Sequence, residues 1–224
     1  FFVHKIFYSC QKNKNYLLQY SNNKKLAFYP CCVDNDYFRS LNKKKNKINN
    51  KMTILTACRL TKRKNLKNVL DGIYEAKKKY KKDLQYLVIG DGPEKFFLMK
   101  YAKKLKIETK FFGFLSHKDM SRYLIKSDIF CLLSNFDASP KILNEVMNFE
   151  IPIIASKNIG TAGDLVKNNF NGYLVENKKQ FVKSLLKLLN NKNTRDKFGK
   201  NSIKILDKKF NIKNCIQNIY KSLN

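Results

Sequence analysis

From residue 52 onward, short apolar runs alternate with longer amphipathic stretches. MTILTAC (52–58), LQYLVIG (84–90), the runs at 109–114 and 129–133, IIA (153–155) and YLV (173–175) have the length of strands. They are mostly apolar, as strands covered on both faces must be. Between them, Leu66, Val69, Leu70, Ile73 and Ala76 recur at helical spacing, and so do Ile142, Leu143, Val146 and Met147. Residues 117–126, 181–189, 193–208 and 209–222 predict further helices. This alternation from 52 to 190 argues for an α/β fold built on a doubly wound parallel sheet of about six strands.

Residues 1–50 read differently. Short strands are expected near 3–8 and 25–29, with a short helix over 12–20 between them. NKKKNKINNK (42–51) is polar without periodicity and reads as an interdomain linker. The expected organisation is therefore 1–50 as the tail of one domain plus a linker, 51–208 as a complete domain, and 209–224 as a closing helix. The start at Phe1 rather than Met reads as a piece of something longer.

The richest stretch is DIFCLLSNFDASPKILNEVMNFEIPIIAS (128–156), a strand–loop–helix–strand unit. Ser139 is placed to cap the helix and Pro140 to occupy its first turn. In open parallel sheets ligands sit beyond the carboxyl ends of the strands, where the loop 134–139 falls. A helix N-terminus there favours an anion such as phosphate. Asp137 and Glu145 flank this point, and carboxylates accept hydrogen bonds from sugar or ribose hydroxyls. Taken alone, the spacing reads more readily as a turn residue at Asp137 and a surface ion pair of Glu145 with Lys141.

Composition changes little of this. The net charge of +29 comes mostly from Lys; only five residues are Arg. Together with abundant Asn, Ile, Phe and Tyr, it fits an AT-rich coding sequence. An anionic membrane surface is the second reading, and nucleic acid the least favoured, because Arg is the better phosphate fork and base reader. The six cysteines form no C-x2-C pair, which argues against zinc and for a reduced, cytoplasmic protein. No apolar run reaches the roughly 18 residues of a membrane span.

Several motifs together carry a family resemblance. DASPKILNEVMNFEIPIIAS resembles the E-x7-E segment of retaining GT-B glycosyltransferases (glycosyl transferases group 1), with Asp137 in place of the first Glu. Arg59-Leu-Thr-Lys-Arg-Lys64-Asn resembles their G-R-L-x-x-x-K-[GN] segment, with Cys58 in place of Gly. Gly90-Asp91-Gly92-Pro93, Gly113-Phe114-Leu115, YPCCVDNDYF and NIGTAGDLVKNNFNGYLV match further segments in order. The resemblance implies half of a GT-B fold, most of whose N-terminal domain lies outside this chain. It implies transfer from a nucleotide-diphospho sugar to a glycan or lipid-linked acceptor, with retention, in cell-surface polysaccharide, glycolipid or lipopolysaccharide synthesis. No metal or other cofactor is expected.

By the same resemblance, Arg59 and Lys64 hold the donor diphosphate and serve catalysis. Asp137 contacts the donor sugar and is the third catalytic candidate. The backbone of Ala138, Ser139, Pro140 and Lys141 supports the phosphates, Glu145 takes the ribose hydroxyls, and Gly113 and Phe114 lie near the base. A ring at a loop mouth such as Phe114 is more often packing than base stacking. His117 is expected as an exposed first-turn residue. A partner chain, or the missing domain, would complete the acceptor site, and exposed apolar surface near 1–38 and 209–224 would favour that. The expected location is cytoplasmic, peripheral at the inner face of the membrane.

Overall fold

A computed structural model describes residues 4–42 and 51–223. Six parallel strands form the main sheet: β3 (Met52–Ala57), β4 (Leu84–Ile89), β5 (Glu108–Phe111), β6 (Ile129–Leu132), β7 (Ile153–Ser156) and β8 (Gly172–Val175). They lie in the order β5-β4-β3-β6-β7-β8, the expected α/β architecture. The chain enters at the centre, runs out to β5, then crosses back to β6. Strand order therefore reverses between β3 and β6, and a crevice opens beyond their carboxyl ends.

Every residue of β3, β4, β6 and β7 is buried. Successive side chains point to opposite faces. Ile54, Tyr86, Val88 and Cys131 therefore pack on one side, under helices α3 (Leu66–Lys79), α4 (Lys95–Lys104) and α8 (Lys178–Asn190). Leu55, Leu87, Phe130 and Ile153 pack on the other, under α5 (His117–Leu124), α6 (Ile142–Met147), α7 (Ala162–Leu165) and part of α9 (Lys192–Lys209). The buried polar groups Tyr86 and Thr56 are paired in series, Tyr86 Oη donating to Thr56 Oγ1 and that hydroxyl to the Cys131 carbonyl, each at 2.8 Å.

The N-terminal segment forms a small lobe. β1 (Ile6–Tyr8) and β2 (Leu26–Phe28) pair in parallel around α1 (Gln11–Leu17). Then α2 (Asn35–Leu41), capped by Asp34 Oδ1 accepting from the Tyr37 N–H, packs against α6 and α9. Arg39 donates to Asn148 Oδ1 at 3.1 Å and to Asp207 Oδ1 at 2.6 Å. Asn148 Nδ2 in turn donates to Asn35 Oδ1, and Asn35 Nδ2 to the Phe210 carbonyl. This network ties the expected domain tail directly to the main sheet's helices. The linker expected at 42–51 falls almost entirely outside the described residues.

The closing helix α10 (Ile212–Leu223) lies on β2. Its Cys215 is buried, and the thiols of Cys32 and Cys215 share a hydrogen bond at 2.8 Å. Phe28 meets Phe210 edge to face. Tyr16, Tyr20, Ile216, Tyr220 and Leu223 remain exposed on this lobe. No described helix is long and apolar enough to cross a membrane.

Candidate functional site

The loop after β3 and the loop after β6 meet at the crevice. Asn65, in left-handed conformation at φ 58°, ends the first loop and opens α3. Its Nδ2 donates to Asn135 Oδ1 at 2.9 Å, and the Asn135 N–H donates to the Arg63 carbonyl at 2.9 Å. The Arg63 guanidinium sits 6.0 Å from the centre of the Phe136 ring. These ties bring Lys64 and Asp137, 73 residues apart, into an ion pair with side chains only 12% and 13% exposed.

Asp137 is held from behind as well. Its carbonyl accepts from the Gly160 N–H at 2.7 Å. Any Cβ on Gly160 would overlap the Ala138 carbonyl, so the loop after β7 lies directly against this backbone. That anchoring explains one departure from the sequence reading. Ser139 does not cap the helix, and Pro140 is not inside it. α6 starts at Ile142, Lys141 occupies the N-cap position, and no side chain caps it. At six residues, α6 offers little dipole for an anion.

Beside this corner lies a cleft of about 750 Å³. Arg59, Asp91, Phe114, His117, Ile142 and Glu145 are among its walls. Arg59 is exposed and makes no ion pair among the described residues. Phe114 is 87% exposed at the mouth, so the packing role favoured for a ring there is overturned. Gly113, at φ 68°, turns the chain so that the ring leaves the core. The Gly90 N–H donates to the Gly113 carbonyl at 2.7 Å and fixes the β4 and β5 loops together. Gly90 and Gly92 have positive φ and lie against the Cys58 and Leu60 carbonyls, so their side-chain-free backbone is what this turn requires. Burial pushes the Cys58 thiol, just beneath, up to about 12.

Glu145 corrects the surface-pair alternative. Its side chain is 10% exposed and its side-chain neighbour is the His117 imidazole, with Nε2 3.7 Å from Oε1. Burial raises its carboxyl above the ordinary glutamate value, against the pull of His117 and then Lys141. His117 is 57% exposed, as expected, but it is not idle: Phe38 of α2 packs edge-on against its ring at 5.2 Å. Sequence reasoning gave it no role. The only signal was its place right after the N-cap Ser116, whose Oγ accepts from the Asp119 N–H. Among the described residues, no three His, Cys, Asp or Glu side chains gather as a metal site needs.

The arrangement can grip an extended anion and read hydroxyls: a free guanidinium, a lysine paired to an acid it can leave, a buried carboxylate and an exposed ring. Known proteins agree on the kind of molecule. The chain is 35% identical over 116 residues to an uncharacterized glycosyltransferase of Haemophilus influenzae, covering 51% of this chain and 33% of that one. It is 28% identical over 193 residues to a Campylobacter jejuni alpha-1,4-N-acetyl-D-galactosaminyltransferase acting on an undecaprenol-linked glycan, covering 85% of this chain and 52% of that one. The chain thus spans about half the length, or less, of these relatives. An Anabaena protein, HepE, solved in complex with UDP superposes with TM-score 0.84 at 17% identity, covering 99% of this chain and 64% of that one. The description "Glycosyl transferases group 1" matches residues 38–205, nearly the whole sheet and its helices. With three quarters of its length in that match, the chain belongs to the glycosyl transferases group 1 family.

Proposed function

We propose that this chain is the donor-binding half of a glycosyltransferase that takes a nucleotide-diphospho sugar. The observation that carries the reading is the cleft at the strand-order reversal, where Arg59, Phe114 and Glu145 face solvent-filled space beside the Lys64–Asp137 pair. The base lies on Phe114, the ribose hydroxyls donate to Glu145, and the diphosphate lies between Arg59 and Lys64. Asp137, freed from Lys64 by the phosphate, accepts from donor-sugar hydroxyls. Gly113 and residues 138–141 are not among the cleft walls, and this reading sets their backbone beside the base and the phosphates of the bound donor. When the bond from the anomeric carbon to the diphosphate breaks, negative charge collects on the leaving group. A guanidinium fork and an ammonium already in place stabilise that charge more than the ground state. Transfer goes to a glycan or lipid-linked acceptor, with retention and without a metal, at the inner membrane face in the synthesis of surface polysaccharide, glycolipid or lipopolysaccharide. The relatives named for transfer to an undecaprenol-linked glycan and for amylovoran biosynthesis support this setting.

The exposed aromatic residues of the N-terminal lobe and α10 favour a second reading, a nucleotide-sugar-binding subunit completed by a separate acceptor-binding chain. Both readings share one test. Calorimetric titration with UDP, GDP and ADP should give selective binding that Arg59→Ala and Glu145→Ala each weaken. A folded chain that binds none of the three would refute the donor site.

A further inference from the structure

Glu145 and His117 stand in an unusual relation. At 3.7 Å, Nε2 and Oε1 are beyond the 2.7–3.2 Å or so of a direct hydrogen bond. Neither side chain makes a hydrogen bond to any other described residue. Both line the same cleft, and the imidazole has most of its surface in solvent. The separation is not slack in a mobile side chain. Phe38 is buried and packs on the imidazole at 5.2 Å, and the adjacent Arg39 is fixed to Asn148 and Asp207. Glu145 is held in the middle of α6, between Asn144 and Val146, both buried.

A buried carboxylate with no donor is costly unless a ligand supplies one. A ligand hydroxyl placed in the gap satisfies both partners at once. Its O–H donates to Glu145 Oε1, and its oxygen accepts from the His117 Nε2–H. We propose that His117 is a second hydroxyl-reading residue of this cleft, making with Glu145 a two-sided clamp on one ribose hydroxyl. The inference rests on the donor-site reading above and adds a specificity to it: ribonucleotides over their deoxy counterparts. The N-terminal segment enters the site by the same route, because Phe38 sets where the imidazole stands.

The test is the ratio of affinities for a ribonucleoside diphosphate and for its 2′-deoxy and 3′-deoxy forms. It is measured by calorimetry on the whole chain, using whichever of UDP, GDP or ADP binds best. The unsubstituted chain should prefer the ribo form over at least one deoxy form. His117→Ala should shrink that preference by about 3- to 10-fold, the worth of one net hydrogen bond. His117→Gln keeps an N–H donor and should restore part of it. A purely structural histidine would lower all affinities alike and leave the ratio unmoved. Binding with a ratio unchanged in His117→Ala overturns the clamp and leaves the donor site standing. Absence of any nucleotide binding overturns both.

Discussion

The two ends of the site are built on opposite plans. At the Lys64–Asp137 corner every charge is already answered: the pair is nearly closed off, and the backbone around it is tied to three loops. Along the Arg59–Phe114–Glu145 cleft, the guanidinium has no ion-pair partner among the described residues, the ring stands in solvent, and the carboxylate faces an imidazole it does not quite reach. The first end is architecture that a ligand must open, and the second is surface that a ligand must cover. Changes at the corner should therefore disturb folding and binding together, whereas changes at the exposed Arg59 and Phe114 should disturb binding alone.

The strongest test is Lys64→Ala. It strands the Asp137 carboxylate, and unfolding stability should fall by about 2–3 kcal/mol, somewhat under the ~3–5 of a fully buried broken pair. Nucleotide diphosphate affinity should drop with it; thermal melting and calorimetry on the same sample check both. Arg59→Ala should weaken diphosphate binding about 10- to 100-fold, the value of charge-assisted hydrogen bonds, while the melting temperature stays put. An Arg59→Ala chain that melts early would erase the contrast between the two ends. Phe114→Ala should cost about tenfold in affinity for nucleotide and nothing for inorganic diphosphate, since base–aromatic stacking is worth ~1–3 kcal/mol.

The smallest expected effect is a pH limb. Burial holds the Glu145 carboxyl above its ordinary value, so it protonates sooner as pH falls. Hydroxyl donors need the carboxylate, so affinity should be full above the raised value and decline through it, before the ordinary value near ~4.3 is reached. Folding stability runs the other way. The cost of a buried carboxylate is absent below the ordinary value and grows as pH rises through the raised one. Glu145→Gln should bind a few-fold more weakly at neutral pH and lose the limb, as titrations across pH 4–7 would show.

The sheet was legible because β3, β4, β6 and β7 are runs of buried, mostly apolar residues and helices such as α3 and α6 carry their apolar positions at regular spacing. Arg59, Lys64, Asp137, Phe114 and Glu145 could be singled out, since each lies within a few residues of a strand's end or on the helix that follows. What could not be read was set by contacts between distant segments. The Ser139 cap failed because Gly160, on another loop, holds the backbone of Asp137. The pairing of His117 with Glu145 depends on two helices brought together by strand order, and its buttress Phe38 comes from a segment that reads as part of another domain. The anchoring of α2 rests on Arg39, Asn148 and Asp207, three polar residues with no periodicity to announce them.

The packing of α10 on β2 also has a consequence for synthesis. β2 leaves the ribosome before the six-stranded unit, and α10 leaves after it. The six-stranded unit can collapse as it emerges, but β2 waits uncovered until α10 follows, because domains fold as units during translation. A truncation within α10 would therefore be felt on the far side of the six-stranded unit, uncovering β2 and opening its lobe to proteases while the main sheet stays whole.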